Sequence, residues 1–234
     1  MPVRQGAHIK WSRTGDVGEN GTIIFGWSDT RTGNRDIYAQ KVDSNGNKLW
    51  GDDGLLVNGF ESRQENPIMI SDDNGGVYVI WSDFRNEPIS DGQPYAQHIS
   101  SEGSLTWDEN GIPLSDNKLT EWSLNMCKDG NGGAYATWKK SDYGGHFASY
   151  LHINNSGPIG EMEVISNAWS HSNPSLETAG DGDAVMVWTD ERNDDKDIYG
   201  QRLGFDGTNV SMEWEMIEDD DGDGEDNYPR GGIP

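Results

Sequence analysis

A short pattern built on tryptophan, aspartate and arginine recurs along this chain and limits its fold more than any other feature. Trp27-Ser28-Asp29-Thr30-Arg31 returns as Trp81-Ser82-Asp83-Phe84-Arg85 and as Trp188-Thr189-Asp190-Glu191-Arg192. A worn copy reads Trp138-Lys139-Lys140-Ser141-Asp142. The interval between tryptophans is about 50–57 residues, which is the range of propeller and solenoid repeats. A second pattern follows each tryptophan: Asp36-Ile37-Tyr38-Ala39-Gln40, Pro94-Tyr95-Ala96-Gln97 and Asp197-Ile198-Tyr199-Gly200-Gln201, with His146-Phe147-Ala148-Ser149-Tyr150 in the worn copy. A third precedes it, as two apolar stretches around a glycine turn: Pro67–Ile70, Asp72–Gly76, then Val77–Trp81.

Each repeat reads as strands. Ile23–Trp27 and Val185–Trp188 are short runs of strand-forming residues bounded by Gly and Asp. Asn45-Gly46, Asn74-Gly75 and Asn131-Gly132 signal tight hairpins in which both turn residues take positive φ. No segment shows helical apolar spacing over a helical length. The expected unit has four short strands, near Pro67–Ile70, Val77–Trp81, Tyr95–Ile99 and Gly111–Leu114 in the second repeat. One such sheet cannot bury both of its faces. Stacking sheets around an axis does so, which predicts an all-β, β-propeller-like array of four-stranded antiparallel blades. About four repeats fit residues 1–217, approximately 6–61, 62–118, 119–170 and 171–217. Residues 218–234 form an acidic Asp/Gly-rich tail or the start of a further repeat, since Tyr228-Pro229 echoes Asn66-Pro67 and Asn173-Pro174. The array is either a small closed propeller or part of a larger one.

Composition narrows the function classes. The 234 residues carry 41 Asp and Glu against 17 Lys and Arg, a formal net charge of −24. A field of that sign repels phosphate and anionic lipid, so nucleic acid and membrane surfaces are excluded as partners. No apolar run is long enough to span a bilayer. Met1–Lys10 lacks the apolar core of a signal peptide, so export implies that a signal has been removed. Cys127 is the one cysteine, which rules out an intrachain disulfide framework and a cysteine zinc site.

The Trp–Asp–Arg and Tyr–Ala–Gln repeats resemble those of secreted bacterial β-propeller proteins. The resemblance covers most of the chain and implies a propeller and a secreted or cell-surface location, but no reaction. Ser100–Trp107 is also similar to the sialidase Asp-box turn, with Gly103 one position early and Glu102 in place of Asp. That resemblance extends to the fold only, because the arginine triad of a sialidase cannot be located here.

Recurrence separates structural residues from functional ones. Trp27, Asp29, Arg31, Trp81, Asp83, Arg85, Trp188, Asp190 and Arg192 recur once per repeat, as a structural requirement would. Asp is expected to lock a turn, and Arg to stack on or pair with the adjacent blade. Catalysis needs no residue once per blade. The worn third repeat departs from this pattern and brings Tyr143 and His146. With Trp122 and Trp169, which suit stacking on sugar rings, they are the candidate binding residues. The five histidines show no metal-ligand spacing; His98 and His152 fall on equivalent third strands and are expected near each other at most. No nucleophile elbow, phosphate loop or dinucleotide fingerprint is present.

In the tail, Asp219, Asp221, Asp223 and Gly224 match the front half of a calcium loop, similar to those of dockerins and thrombospondin type 3 repeats. Arg230 stands where the loop's bidentate Glu belongs, so Asp226 is the candidate further ligand and calcium the candidate cofactor. Taken together, the sequence leans towards a non-catalytic extracellular propeller that binds a glycan or a protein, or serves as a scaffold. The alternatives are a propeller glycoside hydrolase or lyase using paired carboxylates, and a fragment of a larger secreted protein.

Overall fold

The computed structural model describes residues 10–86, 92–115, 120–142, 145–164, 174–190, 197–204 and 209–210. They form four antiparallel sheets of four strands each, taken in chain order. The first comprises β1 (Lys10–Val17), β2 (Ile23–Asp29), β3 (Asp36–Val42) and β4 (Leu55–Asn58). The second comprises β5 (Gln64–Ser71), β6 (Val77–Asp83), β7 (Gln93–Ile99) and β8 (Ile112–Pro113). The third holds β9 (Thr120–Lys128), β10 (Ala134–Asp142), β11 (Gly145–Asn154) and β12 (Gly157–Val164). The fourth holds β13 (Ser175–Gly180), β14 (Asp183–Asp190), β15 (Asp197–Leu203) and β16 (Asn209–Val210). Among the described residues, the one helical element is a single 3-10 turn at Glu19–Gly21. These sheets are the blades of a β-propeller, as the repeat predicts.

Apolar residues on facing sheets interlock into three clusters. Ile24, Ile37 and Ala39 of sheet 1 meet Val77, Val79 and Trp81 of sheet 2. Ile80 and Ala96 on the other face of sheet 2 meet Ala134, Ala136 and Trp138 of sheet 3. Ala148 and Tyr150 of sheet 3 meet Met186, Trp188 and Leu203 of sheet 4. Both faces of sheets 2 and 3 are therefore covered, so their paired strands read as nearly unbroken buried runs.

A repeated polar lock secures the tryptophans. Trp81 Nε1 donates to Asp83 Oδ2 at 2.9 Å, and Arg85 donates to both oxygens of the same carboxylate, Nε at 2.9 Å and Nη2 at 2.7 Å. Its guanidinium lies 4.0 Å from the Tyr95 ring centre. Trp27, Asp29, Arg31 and Tyr38 repeat the arrangement in sheet 1, with Arg31 3.6 Å from the Tyr38 ring centre. The aspartate is thus a turn lock, as expected, for Arg31 N and Arg85 N also donate to it. The arginine differs from expectation: it pairs and stacks within its own blade, because the tyrosine opposite the tryptophan places a ring face beside the carboxylate. Each arginine also donates to a carbonyl of the incoming loop, Asp53 O or Asn110 O. The residue after that carbonyl must be glycine. A Cβ on Gly111 would stand 2.4 Å from the Trp81 ring, and its φ is +75°.

The first hairpins of sheets 2 and 3 lie where Asn-Gly places them, but positive φ falls on Asp73 and Gly75, and on Gly130 and Gly132, not on the asparagines. The reason is the preceding aspartate. Asp72 Oδ1 accepts the N–H groups of Asn74 and Gly76, closing a wider loop than a two-residue turn. Asp129 does the same for Asn131 and Gly133. The second oxygen meets a buried histidine on the third strand: His98 Nε2 lies 2.8 Å from Asp72, and His152 Nε2 lies 2.8 Å from Asp129. Each histidine therefore pairs inside its own blade. Tyr78 and Tyr135 cover the two rings at 4.8 and 4.5 Å between centres.

Neighbouring blades are stitched by one recurring bond. Lys41 Nζ donates to Gly75 O, Tyr78 Oη to Gly132 O and Tyr135 Oη to Gly182 O, each reaching the first hairpin of the next blade. Trp50 and Trp107 add a second stitch, donating to Ser101 O and Asn155 O of the following blade. Ser100–Trp107 thus forms a turn and docking tryptophan, consistent with the Asp-box-like reading of fold.

Two stability predictions follow from these locks. Trp81→Ala should destabilise the protein by about 3–5 kcal/mol, as truncation of a fully buried aromatic does, measured by denaturant unfolding. The second concerns acid. Burial by itself raises the carboxyls of Asp72 and Asp129, but the histidine and the turn N–H groups outweigh it and hold both below the ordinary 3.8. Their contribution is complete above that value and is lost as pH falls below it. Melting temperature should therefore fall steeply below about pH 4, and Asp72→Asn should lower stability at neutral pH while flattening the acid slope.

Candidate functional site

One end of the array gathers the sites where the inner strands break pattern. β1, β5 and β9 each carry a bulge opposite the repeat tryptophan, between Trp11 and Arg13, between Glu65 and Ile68, and opposite Thr137 to Lys139. At the bulges Asn66 and Ser123 take φ of +53° and +60°, a left-handed conformation that Asn adopts more readily than other non-glycine residues and Ser seldom adopts. Bulges of this kind re-aim the chain and are frequent at functional mouths. The β2–β3 and β6–β7 connections end beside them, so the same end also receives the polar locks.

Between sheets 1 and 2 this end presents a carboxylate in a cationic, aromatic setting. Arg35, from the β2–β3 connection, donates through Nη1 to Glu65 Oε1, and Arg63 Nε lies 3.9 Å from the same oxygen. Arg63 is about half exposed and lies flat on Phe84, 3.8 Å from the ring centre. Phe60 is exposed and faces the Arg85 guanidinium at 4.6 Å. In a chain of net charge −24, this concentration of arginines stands out. The rim supplies fixed N–H donors and a ring face, the combination that orients a hydroxylated ligand.

The acids behind the rim have structural partners. Burial raises the Asp29 carboxyl, yet the bonds from Arg31 and Trp27 outweigh it and hold it low. Burial raises Asp36, and Thr32, which donates to it, only partly offsets this. Cys127 is buried between sheets 3 and 4, where burial pushes its thiol up to about 12 and removes its reactivity at neutral pH.

Of the sequence-predicted binding residues, the backbones of Trp122 and His146 fall at this end. Trp122 pairs with Lys139 in the β9–β10 ladder, at the register position that Glu65 holds in sheet 2. The backbone of His146 pairs with Ser141 at the β10–β11 hairpin. Their side chains, together with Tyr143 and Trp169, lie outside the described residues. In the worn repeat Lys140 takes the position of Asp83 and Ser149 that of Tyr95, while Trp138 is fully buried. Burial lowers the ammonium pKa of neighbouring Lys139. Trp188 sits in sheet 4 as expected, stacked on Tyr199; the side chains of Asp190 and Arg192 lie outside the described residues, as do Asp219, Asp221, Asp223 and Asp226. Among the described residues, no group of three or more His, Cys, Asp or Glu is placed to hold a metal ion. Sequence reasoning passed over Glu65, Arg35, Arg63 and Phe60. Phe60, Arg63 and Glu65 are near in sequence, Arg35 is distant, and no repeat marks them.

No protein family and no curated protein matches the chain. Solved structures do match in fold. An α-L-arabinanase of Penicillium chrysogenum, complexed with arabinobiose, is similar at a TM-score of 0.52 and 12% identity, over 81% of this chain and 61% of that one. A protein of unknown function from Dyadobacter fermentans gives a TM-score of 0.51 at 11% identity, over 87% of this chain and 68% of that one. A thermostable family-43 glycoside hydrolase gives 0.45 at 14% identity, over 86% and 70%. At these identities the shared property is the β-propeller fold.

Proposed function

We propose that the chain is a non-catalytic, extracellular carbohydrate-binding propeller module whose binding surface is the bulged end of sheets 1 to 3. The observation that carries this reading is the rim at Glu65. Its carboxylate pairs with Arg35 and Arg63, Arg63 lies on Phe84, and the exposed Phe60 faces the nearby Arg85, which is an arrangement for fixed hydrogen bonding and ring stacking. A glycosidase would instead use two carboxylates facing one another across the scissile bond. The ligand class follows from the rim's chemistry, and the arabinobiose held by one structural neighbour makes arabino-oligosaccharides the first probes.

Isothermal titration with arabino-oligosaccharides and a panel of plant and bacterial glycans tests it. Binding should be detected, and Phe60→Ala or Arg63→Ala should each weaken it by about tenfold, the size of one good contact, with the melting temperature unchanged. Failure to bind any glycan would overturn the reading. Turnover that vanishes with a single Asp or Glu substitution would replace it with a hydrolase.

The same extracellular reading includes weak calcium binding by Asp219, Asp221, Asp223 and Asp226. A loop with Arg230 in the last ligand position should bind at about 10⁻⁴–10⁻³ M, typical of extracellular modules. Calcium should raise the melting temperature more than magnesium at equal concentration, because magnesium supplies the same screening but demands stricter geometry. Asp221→Asn with Asp223→Ala should abolish the difference. Equal responses to both ions in the unmodified chain would leave the tail a solvated acidic segment.

A further inference from the structure

The guanidinium of Arg63 is held in place while its hydrogen-bond donors stay unused. It lies 3.8 Å from the centre of the Phe84 ring, and Phe84 is itself buried. Gly92 packs so closely on that ring that a Cβ there would stand 3.2 Å from it, so the platform has little room to shift. The backbone is tied as well: Phe84 N donates to Arg63 O at 3.1 Å, and Gln64 N donates to Arg35 O at 2.7 Å. A guanidinium stacked on a ring keeps its N–H groups in its own plane, clear of the ring. Glu65 Oε1 is 3.9 Å from Arg63 Nε, beyond hydrogen-bonding range. Among the described residues, no acceptor takes a hydrogen bond from this side chain, which is 46% exposed.

Its charge is the one left over at the rim. Arg35 donates directly to Glu65, Arg85 to Asp83 and Arg31 to Asp29, so each of these acids has an arginine of its own. Arg63 stands within ion-pair reach of Glu65 but without a hydrogen bond. A sugar hydroxyl would accept from it and leave the charge unanswered. A carboxylate accepts two parallel N–H bonds from such a fork and cancels the charge. The rest of the chain acts against anions, because its net charge is −24. That field penalises every charge a ligand carries, whereas one fork rewards a single carboxylate. The favoured ligand therefore carries one carboxylate on an otherwise neutral body.

Resting on the carbohydrate-binding reading, we infer that the Glu65 rim selects an acidic sugar: one uronate unit in an otherwise neutral glycan, its carboxylate taken by the Arg63 fork. The exposed Phe60 ring, on the same β4–β5 connection, serves acidic and neutral sugars alike.

Isothermal titration of the full chain tests the inference with two probes. One is a xylo-oligosaccharide carrying a single glucuronic acid branch, and the other is the same molecule with that carboxyl reduced to the alcohol. The acidic probe should bind about tenfold more tightly, as a charge-assisted bidentate pair exceeds neutral hydrogen bonds. Arg63→Gln keeps an N–H donor beside Phe84 but neither the charge nor the fork. It should abolish the preference while the neutral probe still binds and the melting temperature stays unchanged. Phe60→Ala should weaken both probes and leave their ratio intact. An oligogalacturonate of the same length, charged at every unit, should bind more weakly than the singly charged probe. Equal affinity for the two probes, a preference that survives Arg63→Gln, or tighter binding of the oligogalacturonate would each overturn the selectivity and leave the carbohydrate-binding reading standing. So would binding of arabino-oligosaccharides by a chain that ignores the acidic probe. Failure to bind any glycan would remove that reading and the inference with it.

Discussion

The structure depends on a buried carboxylate that satisfies three kinds of donor at once. Asp83 accepts the indole N–H of Trp81, the guanidinium of Arg85 and, across the blade boundary, the side-chain amide of Asn58 at 3.2 Å. An ion of this kind is costly to bury unless each lone pair is used. Here the tryptophan and the arginine come from the same short stretch of sequence as the carboxylate, and the lock forms in both sheet 1 and sheet 2. The tryptophan is then held at a fixed angle, and the glycine loop closes over it. Packing between sheets follows from that fixed ring.

The rim at Glu65 lies where the lock leaves room. The polar locks stand at the strand ends that also carry the bulges, so the scaffold is stiff close to the mouth. Side chains set on a stiff frame lose little freedom on meeting a ligand. Arg35, Phe60 and Arg63 belong to connections, Glu65 stands at the start of β5, and none of them is part of the recurring motif. This separation explains how one fold can carry many ligands: the recurring residues keep the blades together, and the residues between them face the solvent.

At the opposite end the same demand is met by different residues. The bond to the next blade's hairpin comes from a lysine in sheet 1 and from tyrosines in sheets 2 and 3. What is kept is a donor at a certain distance, whatever its parent side chain. The buried His98 and His152 show the same economy of position, each joining the first hairpin to the third strand through one aspartate.

The sequence alone determined the repeat, its strands and its stacking, because the period of the Trp–Asp–Arg pattern and the glycine turns are local signals that any reader of the chain can align. It also separated the structural residues Asp29, Asp83, Arg31 and Arg85 from candidate ligand residues, since recurrence once per blade marks a packing requirement. It could not give the partner of each arginine. A guanidinium reaches several neighbours, and only the three-dimensional placement of Tyr38 and Tyr95 beside the carboxylates decided that the pair stays within its blade. The histidines do fall on matching third strands, as their equivalence in sequence put them, but their partner carboxylates come from hairpins about two dozen residues earlier, which sequence spacing did not reveal. The rim at Glu65 lay beyond sequence reading altogether. Its members Arg35, Phe60, Arg63 and Phe84 are brought together by the meeting of two blades, and contact between surfaces distant along the chain is a property that only the tertiary fold possesses.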